Sequence, residues 1–252
     1  MSPVPILEEL KEKLGAISED HGLGEAGVRV NIGTLSVKQA IGDPARRDYP
    51  LLQGKEVMIE ARFEDCYGQA FTDRPGEFTG TLKDVLGLSL DTNENRAVFI
   101  ATLNAVTAHL GLVWGTRHCR DEEPEECASE MARDLMAEWG YIKVGLIGLQ
   151  PAILDNLART FGPDSVTCTD LNPDNVGSVK YGVEIRDGAT ETENLIDWSD
   201  LVLATGSTIV NNTFDAIRER IDALGKHLIL FGVTGAGASA LCGLEILCLR
   251  SH

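Results

Sequence analysis

The chain has 252 residues and a formal net charge of −17, from 39 acidic and 22 basic side chains. That length suits one large or two modest domains with a real apolar core, and two are expected. The charge would repel a phosphate backbone and no Lys/Arg cluster is present to displace counterions, so nucleic acid is not an expected partner. The opening MSPVPILEELKEK lacks a basic start followed by an apolar run, and no stretch approaches the roughly 18 apolar residues of a membrane span. A cytoplasmic protein with no membrane partner is expected. Six cysteines are too sparse for a disulfide scaffold.

In chain order, Ile6, Leu7, Leu10 and Leu14 recur at helical spacing. Val28, Val30 and Ile32 then alternate with polar neighbours as a strand would. A second alternating run, EVMIEARF, puts Val57, Ile59, Ala61 and Phe63 on one face. Met58, Glu60, Arg62 and Glu64 take the other, the pattern of a half-covered antiparallel strand. RAVFIATLNAVTAHL reads as a helix buried on most sides, with Asn104 its one inner polar group. Strands followed by helices make this first segment, residues 1–125, an α+β unit.

GTRHCRDEEPEEC, residues 115–127, has two readings. Pro124 suits the first turn of a helix ending near Trp139, and the carboxylates around it sit near the positive end of the helix dipole. On that reading no ligand is needed, and Glu125 and Glu126 stay solvated. The same stretch holds imidazole and thiols that favour zinc, nickel, cobalt or copper, with Cys119, Cys127 and His118 as a soft site. Against it, the cysteines stand eight positions apart, and adjacent His118 and Cys119 cannot both point one way on a regular element. A carboxylate-lined small-molecule cleft is the preferred reading.

After Tyr141 the grammar changes to short apolar runs separated by helical patterns: YIKVGLIGL, AILDNLARTF, SVTCTDL, SDLVLATG, NTFDAIRERIDAL and KHLILFG. These imply parallel strands joined by crossovers, a Rossmann-like doubly wound sheet over residues 126–252. Ligands bind beyond the carboxyl ends of such strands. Gly145 and Gly148 follow the first of them, but Gln150 replaces the second glycine of a dinucleotide fingerprint, so a nicotinamide cofactor is not expected. Asp170, about twenty residues beyond Gly148, stands where a carboxylate holds a ribose, although DLNP is an equally good turn. TGSTIVNNT and GVTGAGAS offer hydroxyls and free backbone N–H groups, or ordinary caps such as Asn212 or Thr213. Cys66 reads as buried or inert, and Cys168, Cys242 and Cys248 as small buried thiols. His21, His109, His227 and His252 read as surface or strand-edge residues, and no G-x-S-x-G elbow occurs.

HCRDEEPEEC followed in order by GLIG, TDLNP, ATGSTIVNNTFD and FGVTGAG, with YGQAFTD and LNAV before them, resembles a family of uncharacterised heavy-metal chelation proteins. The resemblance implies an enolase-N-terminal-like α+β domain coupled to a Rossmann-like domain, with a site in the cleft between them. It carries metal binding to His118, Cys119, Asp121, Glu122, Glu123 and Cys127. Ligand binding falls to Asn104, Asp170, Asn172, Gly206, Ser207, Thr208 and Thr234. The implied function is heavy-metal chelation or handling of a metal chelate or small metabolite, with a transition metal as the one cofactor suggested. Its rivals are a nucleotide-cofactor or S-adenosylmethionine-dependent transferase and a non-catalytic binding scaffold. Family members continue beyond the last glycine-rich loop, whereas this chain ends at LEILCLRSH, which leaves closure of that cleft edge open.

Overall fold

Helical spacing turns Ile6, Leu7, Leu10 and Leu14 inward along α1 (Ile6–Asp20) in the computed structural model, which describes residues 4–30, 35–53 and 56–252. β1 (Gly27–Val30) and α2 (Val37–Ile41) follow; the expected strand residue Ile32 lies outside the described residues. Next come β2 (Val57–Phe63), β3 (Cys66–Thr72), β4 (Phe78–Thr81) and the short α3 (Leu82–Leu86). The four strands form an antiparallel sheet in the order β3-β2-β1-β4.

α4 (Asn93–His109) lies across β2 and β3 and is buried from Arg96 to Thr107, which is why its sequence is apolar nearly all round. Close approach depends on Gly68 in β3. A Cβ there would stand 2.3 Å from both the Ala101 carbonyl oxygen and the Ala105 nitrogen of α4. β2 departs from the half-covered expectation, because Met58 is fully buried and Glu60 only 6% exposed. Ile59, Ala61 and Phe63 pack toward α1 and α4, while Met58 joins a second apolar cluster with Ile41, Tyr49 and Leu51. Alternation survives, but packing from the rest of the chain covers the second face.

α5 (Glu123–Trp139) begins at Pro124 and its acidic turn as expected, then leads into a second sheet. The chain runs β5 (Val144–Ile147), α6 (Pro151–Phe161), β6 (Val166–Asp170), β7 (Val179–Lys180), β8 (Val183–Asp187) and α7 (Gly188–Trp198). It continues through β9 (Leu201–Thr205), α8 (Ser207–Val210), α9 (Phe214–Leu224), β10 (His227–Phe231), α10 (Ala236–Cys242) and β11 (Ile246–Leu247). The order is β11-β10-β9-β5-β6-β8-β7, parallel throughout except for the β7–β8 pair. The sheet starts in the middle and is built outward in both directions, the doubly wound plan, so the chain reverses between β5 and β9. β5 is buried at every residue, as a strand covered on both faces must be.

The apolar core is continuous across residue 125. One cluster holds Leu10, Phe63 and Phe99 together with Val202, Phe214 and Leu230. The other joins Met58 to Met131, Leu146 and Leu154. Asn104 pins the two halves: its Nδ2 donates to the carbonyls of Gln69 at 2.9 Å and Val233 at 3.0 Å, and its Oδ1 accepts from the Gly237 nitrogen at 2.7 Å.

Candidate functional site

Four loops meet beyond the carboxyl ends of β5, β6, β9 and β10. The chain leaves β5 through Gly148 at φ +88°, where a Cβ would lie 2.5 Å from Thr205 Cγ2. Gln150 then caps α6, its Oε1 accepting from the Ile153 nitrogen at 2.7 Å. Asp170 organises the neighbouring loop. Its Oδ2 accepts from the Leu149 nitrogen at 2.8 Å, and its Oδ1 from the Asn172 nitrogen at 2.9 Å and Asn175 Nδ2 at 3.0 Å. Gly206 lets the loops after β9 and β10 touch, since a Cβ would stand 2.3 Å from the Gly235 nitrogen. Thr208 donates its hydroxyl to the Thr205 carbonyl at 2.8 Å, and Thr234 Oγ1 accepts from the Phe71 nitrogen at 3.1 Å, tying this end of the parallel sheet to β3.

Between these loops and residues of the first half lies a cavity of about 530 Å³. Its parallel-sheet side carries Ile147, Asp170, Asn172, Ser207, Thr208 and Thr234; the facing side carries Tyr49, Leu51, Glu56, Phe71 and His118. The charged side chains along it are Glu56, Asp170 and Glu193, and no lysine or arginine is among its described lining residues. Thr169, near the end of β6, borders the cavity fully buried, and its hydroxyl has no hydrogen-bond partner among the described residues.

Glu56 was not among the residues singled out by the sequence. It is partly buried, and burial, reinforced by the charges of Asp170 and Asp73, pushes its carboxyl up to about 7. Met58 faces Phe71 across β2 and β3, and Glu56, two residues earlier and just before the strand, lines the cavity with Phe71. EVMIEARF opens on this Glu, but what lay above it did not show in the sequence.

His118 also borders the cavity, its ring edge-on to Phe71 with centroids 5.4 Å apart. Its Nδ1 lies 2.6 Å from the Cys119 carbonyl, which can only accept, so Nδ1 carries the hydrogen and Nε2 the lone pair. Burial holds the imidazole below its ordinary value and therefore neutral at neutral pH.

Apart from Pro124, the rest of the 118–127 segment does not line the cavity. Cys119 is 6% exposed and Cys127 8%, and burial raises both thiols. Cys248, brought near them by the final turn of chain, is pushed up to about 11. Asp121 Oδ1 accepts from the Asp43 nitrogen at 2.8 Å and Glu122 Oε1 from the Ala45 nitrogen at 3.0 Å. Glu123 Oε2 accepts from the Arg120 nitrogen at 2.7 Å and pairs with His252 Nε2 at 2.8 Å. Among the described residues no three His, Cys, Asp or Glu side chains converge as a ligand set for a metal ion.

Glu126 remains at the surface, beside Arg250. Glu125 does not stay solvated as expected. It forms an ion pair with Arg46 and accepts from the Tyr49 hydroxyl at 2.9 Å, while Arg46 also reaches Asp155 at 2.7 Å. Asn104, fully buried and fully bonded, is likewise absent from the cavity lining, and Gly206 supports the loops behind it. Cys168 is buried as expected, whereas Cys66, Cys242 and Cys248 are only partly so.

An antiparallel sheet set against a doubly wound, mostly parallel one, with a cavity at the parallel strand ends, defines a mixed α/β protein. Residues 132–249 match the model of the DUF364 family, described as "Putative heavy-metal chelation". The fold is similar to that of a DUF364 protein of unknown function from Pyrococcus horikoshii, with a TM-score of 0.51 at 16% identity over 91% of this chain and 79% of that one. A second DUF364 protein of unknown function, from Desulfitobacterium hafniense, is 16% identical over 74% of this chain and 72% of its own, with a TM-score of 0.49. No curated protein matches the chain. Among the described residues no helix is long and apolar enough to cross a membrane.

Proposed function

We propose that the protein binds a small organic molecule in the cavity between its two sheets, and that the family's heavy-metal label reflects a metal-chelating metabolite handled there. The observation that carries this reading is the cavity of about 530 Å³ at the parallel strand ends, a size suited to a small metabolite. Apolar side chains supply its body, and Asn172, Ser207 and Thr234 supply sparse polar contacts that would orient a guest. An ion held directly by residues 118–127 fits less well, because Asp121, Glu122 and Glu123 already accept hydrogen bonds from neighbouring groups. An adenine cofactor also fits less well: three donors already occupy the Asp170 carboxylate, and Gln150 caps a helix where a pyrophosphate would need a bare backbone.

One preparation tests these readings. Native mass spectrometry and metal analysis of the purified protein are expected to show a retained organic mass. Ser207→Phe, which fills the cavity, should release it, and Cys119→Ser should keep it. A metal ion retained without an organic mass, and lost in Cys119→Ser, would replace this reading with a thiol-held ion. Adenine cofactors should leave the melting curve unmoved, whereas a true ligand at a hundred times its Kd would stabilise the fold by about 2.7 kcal/mol.

A further inference from the structure

The cavity is unusual in the sign of what it offers. Glu56, Asp170 and Glu193 are its charged side chains, and no lysine or arginine is among its described lining residues. Asp170 accepts from three donors, but Glu56, just before β2, makes no hydrogen bond or ion pair among the described residues. His118 lies against Phe71 and presents a lone pair at Nε2, because Nδ1 is committed to the Cys119 carbonyl. Above about pH 7, where Glu56 is ionised, these two groups therefore offer acceptors without donors.

We infer that the Glu56 and His118 side of the cavity is a subsite for a protonated amine, so that the natural ligand carries an ammonium group on an apolar body. This deepens the proposed function and rests on it. An ammonium supplies three donors and a positive charge, matching a carboxylate and an imidazole lone pair that border the same cavity. A carboxylate or phosphate guest would meet like charge with no cation among the described lining residues to offset it. A neutral alcohol could satisfy one acceptor but would leave the carboxylate without a counter-charge.

The test uses three probes of one shape: benzylamine, benzyl alcohol and benzoate, titrated into the full chain at pH 8 and followed by amide shifts in 1H–15N spectra. Benzylamine, protonated at that pH, is expected to shift the Leu149, Ser207 and Thr234 amides and to bind at least tenfold more tightly than the alcohol. Benzoate should be weakest. Glu56→Gln should bring benzylamine to within about twofold of the alcohol. If the three probes shift those amides with equal affinity, or benzoate binds best, the cavity is a binding site but not an amine site, and this inference fails alone. If none shifts them, the binding reading falls as well. The wild-type comparison decides the matter even should Glu56→Gln fold poorly.

Discussion

Glu56 is the residue whose chemistry the fold changes most. Burial and two neighbouring carboxylates raise its carboxyl from 4.5 to about 7, so the folded chain holds a proton that the unfolded chain has released. The stability this proton confers is complete below about pH 4.5 and is lost as pH rises through about 7. Glu56→Gln has no proton to lose. Denaturant melts at pH 5 and pH 8 should show the variant gaining on the natural protein by roughly 1 to 3 kcal/mol across that interval; a constant difference would mean that the carboxyl is not perturbed. Asn104 shows the opposite case, a buried polar group with its bonds made. Replacing it with leucine would strand the Gln69 and Val233 carbonyls and the Gly237 N–H, and a loss of about 3 kcal/mol is expected in urea denaturation. No loss of ligand contact is expected, since Asn104 does not line the cavity.

At the scale of elements, the approach of α4 to β3 depends on an absent side chain. Gly68→Ala would place a methyl 2.3 Å from two backbone atoms of the helix, neither of which can rotate away. A cost of roughly 2 to 3 kcal/mol is expected, together with weaker ligand retention, because β3 carries Phe71 into the cavity. The entrance of α5 is held in a different way. Arg46 pairs with Glu125 and Asp155, two elements that the loop after α2 would otherwise only pass. The Asp155 side chain is 6% exposed, so Arg46→Met would leave a nearly buried carboxylate with only Arg159 beside it. A loss of about 2 to 4 kcal/mol is expected, with Arg46→Lys recovering part of it. An unchanged melting temperature in Arg46→Met would reduce this network to a surface feature.

At the scale of the molecule, the two sheets do not have separate cores. Phe63 and Phe99 from the first half share a cluster with Phe214 and Leu230 from the second, and Met58 sits with Leu146 and Leu154. Such shared burial couples the halves, since exposing either one uncovers apolar surface on the other. Calorimetry is expected to give a single transition whose van't Hoff and calorimetric enthalpies agree. Two resolved transitions would show instead that the boundary near residue 125 separates independently stable units. The cavity depends on the same coupling, because its Glu56 and Phe71 come from one half and its Ser207 and Thr234 from the other.

Local spacing determined much of this protein. The apolar face of α1, the entrance of α5 at Pro124 and the alternating strands and helices after Tyr141 were all legible, because each depends on residues a few positions apart. The strand-end residues Asp170, Asn172, Ser207 and Thr234 were legible for the same reason, and all four border the cavity. Tertiary structure decided the rest. Asn104 looks like any polar residue in an apolar helix until its partners, 35 and 129 positions away, close around it. Nothing local covers Met58 or Glu56; only the second sheet buries the first and makes the second part of a cavity wall. Glu125 was expected in solvent as a charged residue at a helix entrance, yet Arg46 reaches it from another segment. Periodicity records which face of an element is apolar; it cannot record which distant segment will cover the other face, and that cover sets the dielectric and the partners from which the chemistry follows.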